Sequence, residues 1–175
     1  MTSLVIDHRR PLDDEELSDL KNIFFMSSSV QSFKDEESRE HFYQRWLGQY
    51  LDRFPDWIWL ALLNNKIVGY IVASPDSLSI LNDFKIPGME LFEEHYSRFP
   101  VGLHINVDSQ ARGMGVGEKL ISKLSEECQI RKLPGLHAIT SAGDRNNHFY
   151  RKNNFLFEYE APFKGHRLLF MGKSL

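Results

Sequence analysis

Leu17, Leu20 and Phe24 recur at helical spacing behind the acidic run Asp13-Asp14-Glu15-Glu16. Asp13 can accept from the first free amides of a helix, Glu16 stands three residues on, and acidic groups suit the positive end of the helix dipole. A helix is therefore predicted to start there. Upstream, residues 4–7 form a short strand candidate. Phe42, Trp46 and Tyr50 repeat every four residues, and so do Tyr43, Leu47 and Leu51. The two stripes predict a second helix over about 35–52 with a broad apolar face.

Two apolar runs follow, 57–63 and 66–73, joined by Asn64-Asn65. Asparagine tolerates positive φ, so the pair predicts a tight hairpin, with Gly69 marking a bulge. Residues 101–107 alternate: Leu103, Ile105 and Val107 on one face, Gly102, His104 and Asn106 on the other. After a glycine-rich turn, Val116, Leu120, Ile121, Leu124 and Cys128 trace the apolar stripe of an amphipathic helix. Pro134 and Gly135 break the chain before a strand at 136–140. A short helix at 146–152 and strands at 155–160 and 167–171 complete a mixed α and β pattern. The long connection 74–100 carries Leu78, Ile80, Leu81, Phe84, Met89, Leu91, Phe92 and Tyr96, too apolar for disorder. It reads as a wall of the substrate site with a helix near 88–97.

A chain of 175 residues suits one domain. Its 42% hydrophobic, 13% aromatic and 26% charged residues are an ordinary globular mix. The net charge of −3 argues against a general nucleic-acid binder, which needs a basic surface. A single cysteine leaves no intrachain disulfide and fits a reducing, cytoplasmic compartment. No apolar run approaches the ~20 residues that span a bilayer, and the N-terminus turns charged too early for a signal peptide, so no membrane association is expected. No His, Cys, Asp or Glu cluster has metal-ligand spacing, and no metal is expected.

The chemistry concentrates in Arg112-Gly113-Met114-Gly115-Val116-Gly117. Glycines without a Cβ let backbone amides approach an anion, the helix start adds partial positive charge, and Arg112 supplies a formal one. This is a pyrophosphate cradle on physical grounds; the bland alternative is a tight strand–helix turn that binds nothing. No Lys-Ser or Lys-Thr follows, as a P-loop requires, and the spacing is not that of a dinucleotide fingerprint.

The order and spacing do resemble the GNAT acyltransferase superfamily. Residues 112–117 are similar to its [RQ]-x-x-G-x-[GA] motif, and Asn147-His148-Phe149-Tyr150-Arg151-Lys152-Asn153-Asn154-Phe155 resembles its late F-Y-x-x-x-G-F signature. Asn154 stands where that signature has glycine. The resemblance covers roughly residues 3–171. It implies a single domain with a mixed, largely antiparallel sheet flanked by helices, and acetyl transfer from acetyl-CoA to an amine in a ternary complex. A small-molecule amine is the expected acceptor, a peptide or protein the other class; homodimerisation is left open. By the same resemblance, Ile105, Val107, Arg112, Gly113, Met114, Gly115, Val116, Gly117 and Asn146 are the cofactor-binding candidates. The Val107 amide would polarise the thioester carbonyl, and Tyr150 would protonate the leaving thiolate. His104 is the candidate base. His137 and His148 read as packing or surface residues, and Cys128 as a buried, inert thiol. A non-catalytic acyl-CoA-binding or interaction module with the same cradle is the alternative function.

Overall fold

The computed structural model describes residues 4–8 and 11–175. Its first half contains β1 (Leu4–His8), α1 (Asp14–Ser27), α2 (Glu36–Tyr43), a π turn (Gln44–Gly48), α3 (Gln49–Arg53), a 3-10 turn (Pro55–Trp57), β2 (Ile58–Leu63) and β3 (Lys66–Ser74). Then come α4 (Ser77–Ile80), a 3-10 helix (Met89–His95), β4 (Val101–Val107), α5 (Val116–Ile130), β5 (Gly135–Ser141), α6 (Asn146–Lys152), β6 (Phe157–Phe163) and β7 (His166–Ser174). The strands form one seven-stranded sheet in the order β1-β2-β3-β4-β5-β7-β6. Pairing is antiparallel for β1–β2, β2–β3, β5–β7 and β6–β7, and parallel for β4–β5. The chain gathers into two compact units, Met1–Ala73 with His104–Leu124 and Ser74–Leu103 with Ser125–Leu175, and both β4 and α5 run through the two. Among the described residues no helix is long and apolar enough to cross a membrane.

In the first unit, α1 begins with the expected reciprocal cap. The Glu16 amide donates to Asp13 Oδ1 at 2.9 Å and the Asp13 amide to Glu16 Oε2 at 3.1 Å. Leu20, Ile23 and Phe24 are buried. The expected second helix is not one α-helix: α2 passes through the π turn into α3. A strict four-residue repeat runs ahead of the 3.6-residue α-helical period, and one wide turn absorbs the excess, keeping Tyr43, Leu47 and Tyr50 inward. Trp57 is buried in the 3-10 turn, so the strand starts one residue later than expected. Asn64 and Asn65 take φ of 52° and 64°, the mirror-image turn that suits a two-residue hairpin. The β2–β3 register slips between Ala61 and Leu62, leaving Val68 as the extra residue beside Gly69.

In the second unit, most of the large apolar residues of 74–100 point inward, Leu78 staying half-exposed. Ile80, Phe84, Met89, Phe92, Tyr96 and Phe99 are all buried, and the helix expected near 88–97 is the tighter 3-10 form. Tyr96 Oη donates to the Met89 carbonyl at 2.7 Å, so even this segment's phenol is used internally. A Cβ on Gly135 or Gly172 would sit 2.7 Å from the Phe99 ring; the missing side chains make room for it. Phe155 is buried but precedes β6, which starts at Phe157. Asn154, the departure from the glycine pattern, closes α6 with φ of 67°, and the Phe155 amide returns to the Tyr150 carbonyl at 3.1 Å.

Asn154→Gly should leave the melting temperature unchanged or slightly raised, whereas Asn154→Ala should cost about 1 kcal/mol by urea denaturation, the left-handed penalty of a side chain that cannot bond locally.

Candidate active site

The cradle is built by the end of β4. The Asp108 amide donates to the Val68 carbonyl at 2.8 Å, pinning the strand end to the bulge of β3. Because amides alternate along a strand, those of Ile105 and Val107 then point to the edge away from β3. The β4–β5 register comprises only Val101↔Leu136 and Gly102↔His137, so neither Ile105 nor Val107 has a partner in it. Asp108 Oδ1 accepts from the Gln110 amide at 2.8 Å and turns the chain toward α5.

Gly113 and Gly115 follow with φ of 78° and 75°, a conformation that favours glycine. A Cβ on either would meet nothing within 4 Å, so the space above the turn is open. Met114 N donates to Ala111 O and Lys119 N to Gly115 O. The amides of Gly113, Gly115, Val116 and Gly117 have no backbone acceptor among the described residues. Arg112 is exposed beside them. Val116 is buried and anchors the start of α5. Amides without backbone acceptors at a helix start, two glycines at positive φ with open space above them and an exposed arginine beside them suit a pyrophosphate, so the residues fit the phosphate end of acetyl-CoA.

His104 lies on the other face of β4 from Ile105 and Val107. Its ring stands 6.0 Å from Phe24, 6.2 Å from Trp46 and 6.2 Å from Tyr70. Its Nδ1 is buried without a hydrogen-bond partner, and burial lowers its pKa to about 4. Next on this face, Asn106 Nδ2 donates to Tyr70 Oη at 2.7 Å. Tyr70 is fully buried and its phenol is pushed up by desolvation, so it stays protonated. This pair lay outside the sequence reading. Alternation put Asn106 beside His104, but only the sheet register brings Tyr70 across from it.

Tyr150 belongs to the second unit. It is buried against Phe149 and Phe155, and desolvation raises its pKa well above the ordinary phenol value. One turn earlier, buried Asn147 accepts from Thr140 Oγ1 at 2.6 Å and donates to the Ser141 carbonyl at 3.1 Å, tying α6 to the end of β5. Asn146 is exposed, as is His148. His137 is a packing residue: buried, its Nδ1 donating to the Phe99 carbonyl at 2.7 Å and its ring stacked on Phe170 at 4.7 Å.

The family model for an "Acetyltransferase (GNAT) domain" matches residues 55–155. No curated protein matches the sequence. Among solved structures, SsHAT is 15% identical with a TM-score of 0.73, covering 98% of each chain. A ribosomal-protein-alanine N-acetyltransferase from Brucella melitensis is 24% identical with a TM-score of 0.59, covering 98% of this chain and 99% of that one. The NatC complex bound to Gag peptide and CoA gives 16% identity and a TM-score of 0.63 over 98% of each chain. At these identities the structures show a shared fold.

His104 and His137 both have pKa values lowered from 6.5 to about 4, so the unfolded chain binds more protons than the folded one between those values. Their contribution to stability is present above pH 6.5 and is lost as pH falls through about 4. Urea denaturation across this range should show stability falling with acid, and His104→Phe should reduce that slope by about half.

Proposed function

Since this chain belongs to the GNAT acetyltransferase family, we propose that it transfers an acetyl group from acetyl-CoA to the nitrogen of a small amine bound beside it. The observation that carries the reading is the cradle at the start of α5: two glycines at positive φ, open space above them, and unpaired amides beside Arg112. Acetyl-CoA supplies an acetyl group already activated as a thioester. The amides of Gly113, Gly115, Val116 and Gly117, with Ile105 and Val107 on the strand edge, are the groups we assign to holding it. The Met114 side chain, 48% exposed at the tip of the turn, covers the adjacent surface.

Val107 N–H is assigned to the thioester carbonyl, where a fixed donor stabilises the negative charge that develops on oxygen. Tyr150 is assigned as the acid for the departing sulfur. Its raised pKa keeps it a neutral donor at every working pH. His104 is neutral above about pH 4, so its unpartnered Nδ1 is free to accept a proton from nitrogen as the new bond forms. Asn146, exposed at the start of α6, is the remaining candidate contact to the cofactor.

Acetyl-CoA at micromolar concentrations should raise the melting temperature, because a ligand of the native state stabilises it by mass action. Gly115→Glu should abolish that shift by adding bulk and negative charge at a positive-φ position. An unshifted wild-type transition, with no binding heat by calorimetry, would remove the reading. Tyr150→Phe should lower kcat by roughly 10²-fold while leaving acetyl-CoA binding unchanged. An unchanged kcat under chemistry-limited conditions would take Tyr150 out of the mechanism.

A further inference from the structure

The face of β4 that carries His104 has an unusual character for a surface that would receive an amine. Its rings form a connected set. Phe24 meets Phe42 at 5.4 Å and Tyr43 at 5.9 Å, Phe42 meets Trp46 at 6.5 Å, and Phe24, Trp46 and Tyr70 surround His104. Phe42, Trp46 and His104 keep part of their surface exposed, so the set reaches solvent. Its polar groups are all neutral: His104 Nδ1, buried and unpartnered, and the Asn106 amide bonded to the Tyr70 phenol. Several charged groups of the surrounding helices are turned to Tyr43 and Phe25 instead. Lys21 of α1 sits over the Tyr43 ring at 4.4 Å, and Glu40 of α2 and Asp52 of α3 act on Tyr43. Arg39 covers Phe25 at 3.8 Å and pairs with Glu36. No carboxylate is bonded to His104, Asn106 or Tyr70 among the described residues, and burial is the one cause that moves His104.

An alkylammonium ion brought to such a face would shed its water with no counter-charge to replace it. Ring faces recover only part of that cost by cation–π attraction, and a nitrogen held as a cation has no lone pair with which to attack. A nitrogen already neutral at physiological pH meets neither obstacle. We propose that the acceptor is an arylamine: a weakly basic nitrogen carried directly on an aromatic ring, received by the partly exposed rings of Phe42 and Trp46 and by the neutral polar groups of His104 and Asn106. This rests on the acetyl-transfer reading above and narrows its substrate class.

The reaction balances with the acid and the proton acceptor already assigned, and needs no base strong enough to deprotonate an alkylammonium. The nitrogen lone pair forms the new C–N bond while the C–S bond breaks. The sulfur departs with that bonding pair and takes the proton of Tyr150, and the nitrogen, made strongly acidic once the C–N bond forms, gives one to His104 Nδ1, yielding an N-aryl acetamide and a free thiol. An alkylammonium would have to lose a proton before any of this. His104, neutral down to about pH 4, is too weak a base to remove it.

The test compares two isomers, 4-methylaniline and benzylamine, with the full chain and saturating acetyl-CoA at neutral pH, reading thiol release. Phenylalanine amide serves as a third probe for a peptide-like α-amine. The expected result is a kcat/KM for 4-methylaniline at least about tenfold above both others. Equal or better use of benzylamine or phenylalanine amide overturns the proposal, as does a failure to acetylate 4-methylaniline while acetyl-CoA still raises the melting temperature. Loss of the acetyl-CoA shift itself would instead strike the acetyl-transfer reading, and the proposal with it. Asn106→Asp places a carboxylate beside Tyr70. If it folds and keeps the acetyl-CoA shift, the preference ratio should move about tenfold toward benzylamine, and an unmoved ratio counts against the proposal. If it does not fold, the isomer ratio of the natural chain still decides.

Discussion

A Cβ on Gly69 would stand 3.0 Å from the Asn106 carbonyl, 3.2 Å from Val116 Cγ1 and 3.3 Å from Val107 Cγ2. The glycine lets β3, the end of β4 and the first residue of α5 close on one another, and the rest of the first unit depends on that approach. It puts the Val68 carbonyl within reach of the Asp108 amide, which fixes which way the Ile105 and Val107 amides point. It brings Tyr70 across from Asn106 on the opposite face. It also seats Val116, so that α5 begins directly behind the two positive-φ glycines. The direction of the strand-end amides, the start of α5 and the Asn106–Tyr70 bond are three readouts of one close approach at Gly69.

The second unit organises itself around a different packing solution. Phe99 lies where Gly135 and Gly172 leave their faces bare, and its carbonyl takes the His137 proton. His137 in turn stacks on Phe170, and Tyr96 and Phe92 close on the same ring. Ile80, Phe84, Met89, Phe92 and Tyr96, read from the sequence as part of a substrate wall, are buried in this unit, while Leu78 stays half-exposed. Asn147 does for α6 what Gly69 does for β4. A buried amide satisfied on both sides fixes the helix, and the helix fixes Tyr150.

Local chemistry was legible in the sequence, and tertiary geometry was not. The Asp13–Glu16 cap, the Asn64-Asn65 turn, the α5 stripe and the left-handed Asn154 each depend on neighbours within a few residues, and the composition of those few residues specifies them. The π turn in the second helix was visible only as a period of four instead of 3.6, which an α-helix with a broad apolar face also accommodates, so the repeat alone did not place the wide turn. The burial of 74–100 was hidden because apolar content says that a segment is covered and not by what. The Asn106–Tyr70 bond joins residues 36 apart in the chain. Alternation along β4 could place Asn106 on the His104 face, but only the packing of β3 beside β4 supplies its partner.

Cys128 closes the apolar stripe of α5, fully buried, and desolvation pushes its thiol up to about 12. It is the only sulfhydryl in the chain. Disulfide reagents attack through thiolate, and at neutral pH this sulfur is neither ionised nor accessible. The folded protein is therefore colourless to such a reagent. A slow colour developing from the protein would report unfolding.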